Sequence, residues 1–543
     1  MSAPPLDLLA RVQQWIDDDP DPATTEELQE LVRRGDTDTL AARFADRLHF
    51  GTAGLRGKLR AGPLGMNRVV VGRTAAGLAG WLVSRSPAGP VVIGYDARRG
   101  SARFARDTAE ILVVAGLDAR LFAAPVPTPM LAFAVRHTGA CAGVMVTASH
   151  NPADDNGYKV YLGGDLAGSI GAGAQIVPPV AREIEAAIDD VGRLVDVPRE
   201  EGWSMLGAAL ADRYVTEVAA LPRGTARDVS IAYTPLHGVG GDTFRAVLAL
   251  AGFPAAAVVP EQEQPDGDFP TVPFPNPKES GALDLVLALA GRMRADIVIA
   301  HDPDADRCAV ACGGRVLTGD ELGALLADHL IRTGVAGCYV TTIVSSSLLA
   351  AMCAAHNRGY VETLTGFKWI VRGAGDLVFG YEEAIGYCVA PQIVRDKDGI
   401  SAALLIADLA ATLKADGRTL LDRLDEIARE YGIYATAQLS IRVDDVAEIG
   451  EMMRALRASP PTSLAGERVS TVDDLLPGAD VVRLTAGPLR VLVRPSGTEP
   501  KLKAYLQAIE PVACDDVVAA RSRAGDRLKA LHADVQSALR QDR

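Results

Sequence analysis

The stretch VVIGYDARRGSARFARDTAEILVVAGLDARLF, Val91 to Phe122, reads as a short apolar strand, an amphipathic helix closed by Gly116, and a second strand. This order is a βαβ unit, which predicts a parallel sheet. Two later stretches, from VSIAYTPLHG to HDPDADR and from GCYVTTIV to GYEEAIG, repeat the architecture without close sequence identity. We therefore expect an α/β protein with three mixed or parallel-sheet domains.

The segments that flank these three repeats have a different character. Residues 1–45 are acidic and predict two helices, with Thr24 or Thr25 capping the second. After about Gln438, several strands and a long amphipathic helix predict a smaller α+β domain. The predicted boundaries are 1–45 for the N-terminal extension, 46–205 for domain I, 206–325 for domain II, 326–437 for domain III and 438–543 for domain IV.

Composition limits the partners and the compartment. Lys and Arg total 55 against 69 Asp and Glu, a formal charge of −14 that argues against nucleic acid or an anionic membrane as the main partner. The seven cysteines form no CxxC and fit buried positions in a reducing compartment. No signal peptide or membrane-spanning run is evident, so we expect a cytoplasmic protein, in which an anionic small molecule would need a locally basic pocket.

The loop HDPDADR, His301 to Arg307, directly follows the predicted strand DIVIA. Its three alternating aspartates, Asp302, Asp304 and Asp306, repel one another unless a cation lies between them. An EF-hand is excluded, because Arg307 and Gly313 stand where the motif needs Gly and Glu. A hard divalent cation such as Mg²⁺ suits the loop, and a solvated surface turn is the alternative.

The loop TASHNPADDNGYKVY, Thr147 to Tyr161, follows the apolar run CAGVMV. Ser149 lacks the G-x-S-x-G elbow, and in an extended chain His150 would point away from it, which argues against a hydrolase triad. A serine that carries a phosphoryl group instead needs a cation and a nearby acid or base. His150 and Lys159 are candidates for proton transfer, although His150 alone also fits a purely structural hydrogen-bonding role.

Three further polar loops contain side chains that could bind a ligand. RPSGTEPK places a guanidinium, two hydroxyls and a glycine in one loop, which fits a phosphate dianion or an ordinary hairpin turn. GTAGLRGKLR resembles a P-loop, but its spacing is too long and Leu59 follows the lysine, so it predicts no nucleotide site. GYEEAIG places Glu382 and Glu383 at a strand end, where they can bind sugar hydroxyls or face solvent.

Taken in order, TASHNP, DPDADR, GYEEAIG and RPSGTEP resemble the motifs of the α-D-phosphohexomutase superfamily, the phosphoglucomutases and phosphomannomutases, from about Phe50 to Tyr505. GTAGLRG, GAQIVPP, TGFKWI and RDKDG look most like the branch of bacterial phosphoglucomutases and the animal phosphoglucomutase 2/phosphopentomutase type. The resemblance implies a four-domain, heart-shaped α/β protein with its active site in a central cleft. It also implies an intramolecular phosphotransferase that interconverts glucose 1-phosphate and glucose 6-phosphate through a phosphoserine and a bisphosphorylated sugar.

The resemblance also implies roles for individual residues of this chain. The implied catalytic side chains are Ser149, His150, Lys159, Arg56 and Arg307, with Lys397 as a further candidate acid or base. The implied magnesium ligands are Ser149, Asp302, Asp304 and Asp306. The candidate sugar-binding residues are Glu382, Glu383, Lys368 and Trp369. The implied phosphate-binding residues are Arg494, Ser496, Gly497 and Thr498.

One departure from the family pattern bears on the substrate. Many members have Glu-x-Ser in the sugar loop, whereas this chain has Glu382, Glu383 and Ala384. The missing hydroxyl removes one hydrogen bond, worth about 0.5 to 1.5 kcal/mol, so sugar preference is relaxed or is set by Lys368 and Trp369. Phosphomannomutase and phosphopentomutase activities therefore stay open, as does a non-catalytic sugar-phosphate binder. We expect Mg²⁺ as cofactor, glucose 1,6-bisphosphate as activator and intermediate, small sugar phosphates as partners, and a monomer or homodimer.

Overall fold

The structure is a computed structural model that describes residues 6–51, 54–443, 445–496 and 501–539. The chain divides into two compact units. The first comprises Met1–Leu317, Leu377–Gly380 and Gly386–Ala415, and the second comprises Thr318–Asp376, Tyr381–Ile385 and Asp416–Arg543. Along the chain, three α/β domains precede a further C-terminal sheet domain, which confirms the predicted fold class. A search of the described residues finds no helix with the length and apolar content needed to cross a membrane.

The N-terminal segment of the first unit forms three helices, not the two that the sequence predicts. They are α1 (Leu6–Ile16), α2 (Pro22–Arg34) and α3 (Thr37–Arg43). The predicted threonine cap of α2 is also wrong, because the Asp21 side chain accepts from the Ala23 N–H at 3.0 Å. The Thr24 hydroxyl is used elsewhere and donates to Asp19 at 2.7 Å. A proline at the first helical position has no N–H to satisfy, which favours a helix start immediately after Asp21.

The first sheet has the strand order β1-β5-β4-β2-β3-β7, with β6 beside β5. Its strands are β1 (Leu55–Lys58), β2 (Val91–Tyr95), β3 (Ala119–Phe122), β4 (Ala142–Val146), β5 (Asp155–Leu162), β6 (Ala174–Gln175) and β7 (Ser204–Leu206). Its helices are α4 (Arg68–Val83), α5 (Ser101–Val114), α6 (Thr128–His137) and α7 (Val180–Asp189), with short 3-10 turns at Gly164–Ala167 and Leu194–Asp196. Strands β2 and β3 are parallel and joined by α5, so the predicted βαβ unit is confirmed.

The N-terminal helices are packed onto this first domain. Trp15, Leu28 and Phe44 belong to a buried apolar cluster that also contains Val69 of α4 and Ile111 of α5. Burying large side chains of this kind stabilises the contact by roughly 1.5 to 3 kcal/mol each. The N-terminal helices therefore share a hydrophobic core with the first domain and belong to the first unit.

The second sheet has the order β12-β11-β10-β8-β9. Its strands are β8 (Ile231–Thr234), β9 (Ala257–Val258), β10 (Ile297–His301), β11 (Cys308–Cys312) and β12 (Arg315–Val316). The accompanying helices are α8 (Ala208–Ala219), α9 (Gly241–Leu250) and α10 (Asp284–Met293), with a 3-10 turn at Pro260–Gln262. Strands β8 and β10 are parallel, whereas β10 and β11 are antiparallel. The loop 302–307 therefore lies at the carboxyl end of β10.

The second unit begins with another α/β arrangement. Its elements are α11 (Gly319–Arg332), β13 (Cys338–Thr342), α12 (Leu348–Ala355), β14 (Gly359–Thr363) and α13 (Phe367–Ile370). Strands β13 and β14 pair in parallel. The boundary between the units falls within β15 (Leu377–Glu382), after which β16 (Gly386–Cys388) and α14 (Gly399–Ala415) belong to the first unit and α15 (Leu420–Tyr431) to the second.

The C-terminal sheet of the second unit is antiparallel, in the order β17-β23-β22-β21-β20. The elements here are β17 (Ile433–Arg442), α16 (Val446–Ala458), β18 (Ser463–Leu464), β19 (Glu467–Arg468), β20 (Thr471–Asp474), β21 (Val482–Ala486), β22 (Leu489–Pro495), β23 (Lys501–Glu510) and α17 (Val517–Ala538). Leu531 and Val535 of α17 are buried in the core of this domain, as their helical spacing predicts. The cysteines are free and buried except Cys514, which is exposed and so departs from the prediction.

Candidate active site

Ser149 lies in the loop after β4, in a backbone conformation that serine seldom adopts. Its φ angle is 54°, in the left-handed region, and its side chain is fully buried. The Ser149 N–H donates to the Thr147 hydroxyl at 2.9 Å. The buried Arg98 guanidinium donates to the carbonyl of Ser149 at 2.7 Å and also to the carbonyls of Asn151 and Pro152. These bonds hold the turn in place, as a strained functional conformation requires.

The three aspartates of the loop between β10 and β11 come together beside this serine. Each of Asp302, Asp304 and Asp306 is buried and offers an oxygen within 4.8 Å of the others. Ala305, between them, has a φ of 54°, which turns the loop back on itself. The Ser149 hydroxyl donates to Asp302 Oδ2 at 2.8 Å. Two loops that are 153 positions apart in the chain thus share one site.

Two lysines neutralise part of this acidic cluster. Lys159 Nζ, on β5, lies 2.7 Å from Asp304 Oδ2 and 3.1 Å from Asp306 Oδ2. Lys397 Nζ lies 3.2 Å from the same oxygen of Asp306. Burial alone would raise the pKa of Asp306, but Lys159, Lys397 and the adjacent Arg307 hold it below its ordinary value. Both candidate proton-transfer lysines therefore contact the predicted metal ligands.

The remaining oxygens of the trio fit a metal ion. Asp304 Oδ1 and Asp306 Oδ1 are buried and have no hydrogen-bond partner in the part of the chain that the structure describes. Burial, followed by repulsion from Asp304 and Asp306, raises the pKa of Asp302 well above its ordinary value. Buried carboxylate oxygens without donors are costly, and a hard cation with oxygen ligands removes that cost. Two Oδ1 atoms of the trio therefore stay available to such an ion, while the lysines contact the Oδ2 atoms.

The other side of Ser149 is basic. His150 Nδ1 lies 3.3 Å from Ser149 Oγ and accepts from Arg307 Nη1 at 2.7 Å. Desolvation, followed by repulsion from Arg307 and Arg56, lowers the pKa of His150 well below its ordinary value, so the imidazole is neutral. Arg56, on β1, donates to the Asn151 side chain at 3.1 Å. The site surrounds one serine with guanidinium groups, which suits a bound dianion.

The expectation that His150 points away from Ser149 is wrong. It assumed an extended backbone, whereas the left-handed conformation of Ser149 brings the imidazole back beside Oγ. The arrangement still differs from a Ser-His-Asp triad. The Ser149 hydroxyl donates to Asp302 directly, and the imidazole nitrogen nearest to Oγ accepts from Arg307, whereas in a triad that nitrogen accepts from the serine hydroxyl.

The predicted sugar-binding residues lie in the second unit. Glu382 is buried at the end of β15, and the N–H of Glu383 donates to the Ser345 hydroxyl at 3.2 Å. Lys368 and Trp369 lie together on the short helix α13. Burial, with Arg372 nearby, lowers the pKa of Lys368.

The predicted phosphate loop is described only in part. Arg494 lies on β22, with Nη1 3.5 Å from the Tyr505 hydroxyl, and Ser496 follows the strand. Gly497 and Thr498 lie outside the described residues. Burial, followed by the charge of Glu383, raises the pKa of Tyr505. The charges of Arg494 and Glu382, which also lie in the second unit, act on the same hydroxyl.

Several residues of the first-unit site were missed by sequence reasoning. Thr128 donates to Asp304 Oδ2 at 2.6 Å, and Asp396 accepts from Tyr161 and Gln175, each at 2.9 Å, beside Lys397. Arg98, which supports the Ser149 turn, follows β2. Its place after a strand of a parallel sheet is the one signal that could have found it, since such loops carry ligand-binding groups.

Comparison with known proteins places the chain in a family. Models described as phosphoglucomutase/phosphomannomutase, alpha/beta/alpha domains I, II and III match residues 47–193, 212–315 and 318–431 in that order. The chain belongs to the phosphoglucomutase/phosphomannomutase family. It is a phosphohexomutase-type mutase, an isomerase that acts on small sugar phosphates.

Its relatives are named for different sugar substrates. A Haemophilus influenzae protein named "Probable phosphomannomutase" is 46% identical over 82% of this chain and 93% of its own length. Phosphopentomutase of Homo sapiens is 34% identical over 92% of this chain and 91% of its own length. Phosphoglucomutase of Staphylococcus haemolyticus is 35% identical over 85% and 90%, respectively.

A solved structure supports the fold. A phosphoglucomutase/phosphomannomutase family protein from Burkholderia thailandensis superposes with a TM-score of 0.69 at 19% identity, covering 88% of this chain and 97% of its own. At that identity the likeness concerns the fold and not the substrate.

Proposed function

We propose that this chain is a phosphoglucomutase that interconverts glucose 1-phosphate and glucose 6-phosphate through a phosphorylated Ser149. The observation that carries the proposal is the 2.8 Å hydrogen bond from Ser149 Oγ to Asp302, within a buried carboxylate trio that has unpartnered oxygens. A serine phosphate carries a charge near −2, which a cation bound by that trio and the adjacent guanidinium groups would offset.

The reaction has two balanced halves. In the first, O6 of glucose 1-phosphate attacks the phosphorus of phosphoserine 149, the bond from phosphorus to Oγ breaks, and glucose 1,6-bisphosphate forms. In the second, Oγ attacks the phosphorus at position 1, and glucose 6-phosphate leaves while the serine is phosphorylated again. The attacking hydroxyl loses one proton in each half and the departing oxygen gains one. Free glucose 1,6-bisphosphate would restore an enzyme that has lost its phosphoryl group.

Different side chains around Ser149 would bind the metal ion, bind the phosphoryl group and transfer protons. Asp302, Asp304 and Asp306, with the serine phosphate, would hold Mg²⁺, which supplies charge neutralisation at the transferred group. We assign Arg56 and Arg307 to the equatorial phosphoryl oxygens, because both lie on the basic side of the serine. Lys159 and Lys397 are the candidates for proton transfer, since both lie beside the trio. His150 is neutral and holds Arg307 through its Nδ1.

The test of this proposal is the chemical state of Ser149. Peptide mass spectrometry of the purified enzyme should find a phosphoryl group on Ser149, and an isotopic label in that group should pass into the sugar phosphates when unlabelled glucose 1-phosphate is added. The variant Ser149→Ala should keep the fold and lose turnover, because no other group can accept the phosphoryl. Activity above a few per cent in that variant, or a label on Ser149 that does not exchange with sugar phosphates, would refute the phosphoserine role.

Mannose and pentose phosphates are the second candidates. The 46% identical relative is named for mannose, and relatives of 33 to 34% identity are named phosphopentomutase or phosphoribomutase. At position 384 this chain has alanine where many family members have serine, so one hydroxyl that could bind a hexose is missing. Comparing kcat/KM for glucose, mannose and ribose 1-phosphates decides the question. The glucose proposal requires the highest value for glucose, and a larger value for either competitor replaces it.

A further inference from the structure

A cavity in the first unit lies away from the reacting serine and uses the N-terminal helices. Its volume is about 640 Å³. Arg11, Trp15 and Asp17 line it from α1 and the residue after it, Arg73 lines it from α4, and Arg193 lines it from the segment that follows α7. Sites for small ligands commonly enclose about 300 to 1,000 Å³. The cavity therefore has the size of a metabolite site, and the domain I model, which begins at residue 47, leaves α1 unassigned.

The cavity concentrates positive charge in an acidic protein. The chain carries a net charge of −14, yet among the residues that the structure describes three arginines and only one carboxylate, that of Asp17, line this cavity, with Arg11, Arg193 and Asp17 exposed. Arg11 donates to the carbonyl of Phe44, and Arg193 Nη2 donates to the carbonyl of Asp17 at 3.2 Å. Across the described ranges, neither guanidinium forms an ion pair with a carboxylate. Arg73 differs, because it pairs with the buried Asp18 at 2.6 Å.

Two donor atoms of residues beside the cavity have no acceptor among the described residues but are closed to solvent. Trp15 is 8% exposed, and its indole N–H has no hydrogen-bond partner in the described portion of the chain, nor does Nε of Arg73. The guanidinium of Arg73 lies 5.3 Å from the Trp15 ring, and the rings of Trp15 and Phe44 meet edge to face at 5.9 Å. Because both donor atoms are closed to solvent, they are not offered to a ligand in the cavity, and it is the arginines lining the cavity that indicate a bound group.

We propose that this cavity binds a small phosphorylated molecule, with its phosphate on Arg11 and Arg193 and the rest of the molecule against the Trp15 wall. Two guanidinium groups without carboxylate partners match a phosphate dianion better than a single carboxylate, because their planar donors pair with phosphate oxygens. A ligand in this place bridges α1 to α4 and to the segment after α7. Its binding therefore stabilises the attachment of the N-terminal helices to domain I.

The test uses the full-length enzyme with inorganic phosphate as the probe, at constant ionic strength and with acetate in parallel. Binding is followed by the fluorescence of Trp15, with Trp15→Phe identifying its share of the signal, and by the melting temperature. The double variant Arg11→Gln/Arg193→Gln removes two charges from the cavity. Arg33→Gln/Arg34→Gln is the matched control, because it removes two charges from α2 that are paired with Glu30 outside the cavity.

Phosphate should change the Trp15 signal saturably and raise the melting temperature of the wild type. The cavity double variant should bind phosphate at least about tenfold more weakly, while the control stays within about twofold and acetate binds more weakly than phosphate. Both double variants should keep wild-type kcat and KM in phosphate-free buffer, which separates this site from the reaction at Ser149. Equal responses of all three proteins would overturn the proposal, as would no Trp15 response in the wild type or equal binding of acetate.

Discussion

Two clusters of charged side chains in the first unit bury negative charge. One is centred on the single carboxylate of Asp107, and the other on the carboxylates of Asp302, Asp304 and Asp306. Asp107, on α5, accepts from Arg68 through both oxygens at 2.8 Å, and Arg199 and Arg103 lie 2.7 and 2.8 Å from its Oδ1. Every oxygen of that carboxylate is satisfied by the protein itself. The Asp302 trio has two lysines nearby, yet two of its buried oxygens have no donor among the described residues.

The difference separates a structural cluster from one prepared for a ligand. Removing a partner from a closed ion cluster leaves buried charge uncompensated and lowers stability. Removing the carboxylate of Asp302 relieves its repulsion from Asp304 and Asp306, so the effect should fall on activity and not on stability. The raised pKa of Asp302, which burial and its two neighbours cause, supports this view. The four predictions below test the contrast.

The largest effect is expected for Asp302→Asn. Asparagine can still accept from the Arg307 N–H, but it removes one negative charge from the proposed metal site. We expect kcat to fall by about 100- to 1,000-fold, because a charge-stabilising group at the transferred phosphoryl is lost. In EDTA, thermal unfolding should show a stability equal to or above that of the wild type. Adding Mg²⁺ should raise the melting temperature of the wild type only.

The control for Asp302→Asn is Asp266→Asn, an exposed-loop carboxylate of the same unit. It should leave both kcat and the Mg²⁺ response unchanged. If Asp302→Asn instead lowers stability strongly and retains activity, the two clusters serve the same structural purpose and the contrast fails.

The opposite outcome is expected for Asp107→Asn. The carboxylate is fully buried and neutralises three arginines, so we expect the free energy of unfolding to fall by about 3 kcal/mol while kcat stays within about threefold. Urea unfolding and steady-state kinetics measure the two quantities. Asp118→Asn is the control, because its ion pair with Arg120 is exposed and should contribute less than about 1 kcal/mol. A large loss of kcat at unchanged stability would contradict the assignment.

A smaller effect is expected for Asp396→Asn. Asp396 receives hydrogen bonds from Tyr161 and Gln175, and its Oδ1 lies 3.4 Å from Lys397 Nζ. An amide there no longer attracts the ammonium group, so Lys397 should lose its fixed position beside Asp306. We expect kcat to fall by about 10- to 30-fold with KM nearly unchanged. Asp396→Glu should recover part of the rate. A change confined to KM would remove Asp396 from a positioning role.

Comparing Asp107 with the Asp302 trio also shows which features of the fold and of the site could be predicted from the sequence. Asp302, Asp304 and Asp306 are neighbours in the chain, so their local pattern alone indicates a cation site. The βαβ period of Val91 to Phe122 likewise predicts a parallel sheet, because apolar spacing is a local property. The three arginines around Asp107 come from positions 68, 103 and 199, and no local pattern joins them.

Backbone conformation sets a second limit. The position of His150 could not be predicted, because a single residue in the left-handed region reverses the direction of the next side chain. The cap of α2 was missed for a similar reason, since the helix begins at Pro22 and its cap precedes the threonines. Nothing in the spacing of the two loops predicts that Ser149 contacts Asp302. Only the resemblance to a family indicated that these two residues belong to one site.

The smallest effect is expected in the second unit, for Arg494→Ala. Unlike the arginines around Asp107, Arg494 is half-buried and makes a long contact of 3.5 Å to the Tyr505 hydroxyl, so its removal should leave stability nearly unchanged. If the loop after β22 binds the substrate phosphate that is not reacting, KM should rise about three- to tenfold while kcat changes little. Arg468→Ala, on exposed β19, is the matched control and should leave KM unchanged. An unchanged KM for Arg494→Ala removes this arginine from phosphate binding, whereas a loss of stability would place it with the structural cluster at Asp107.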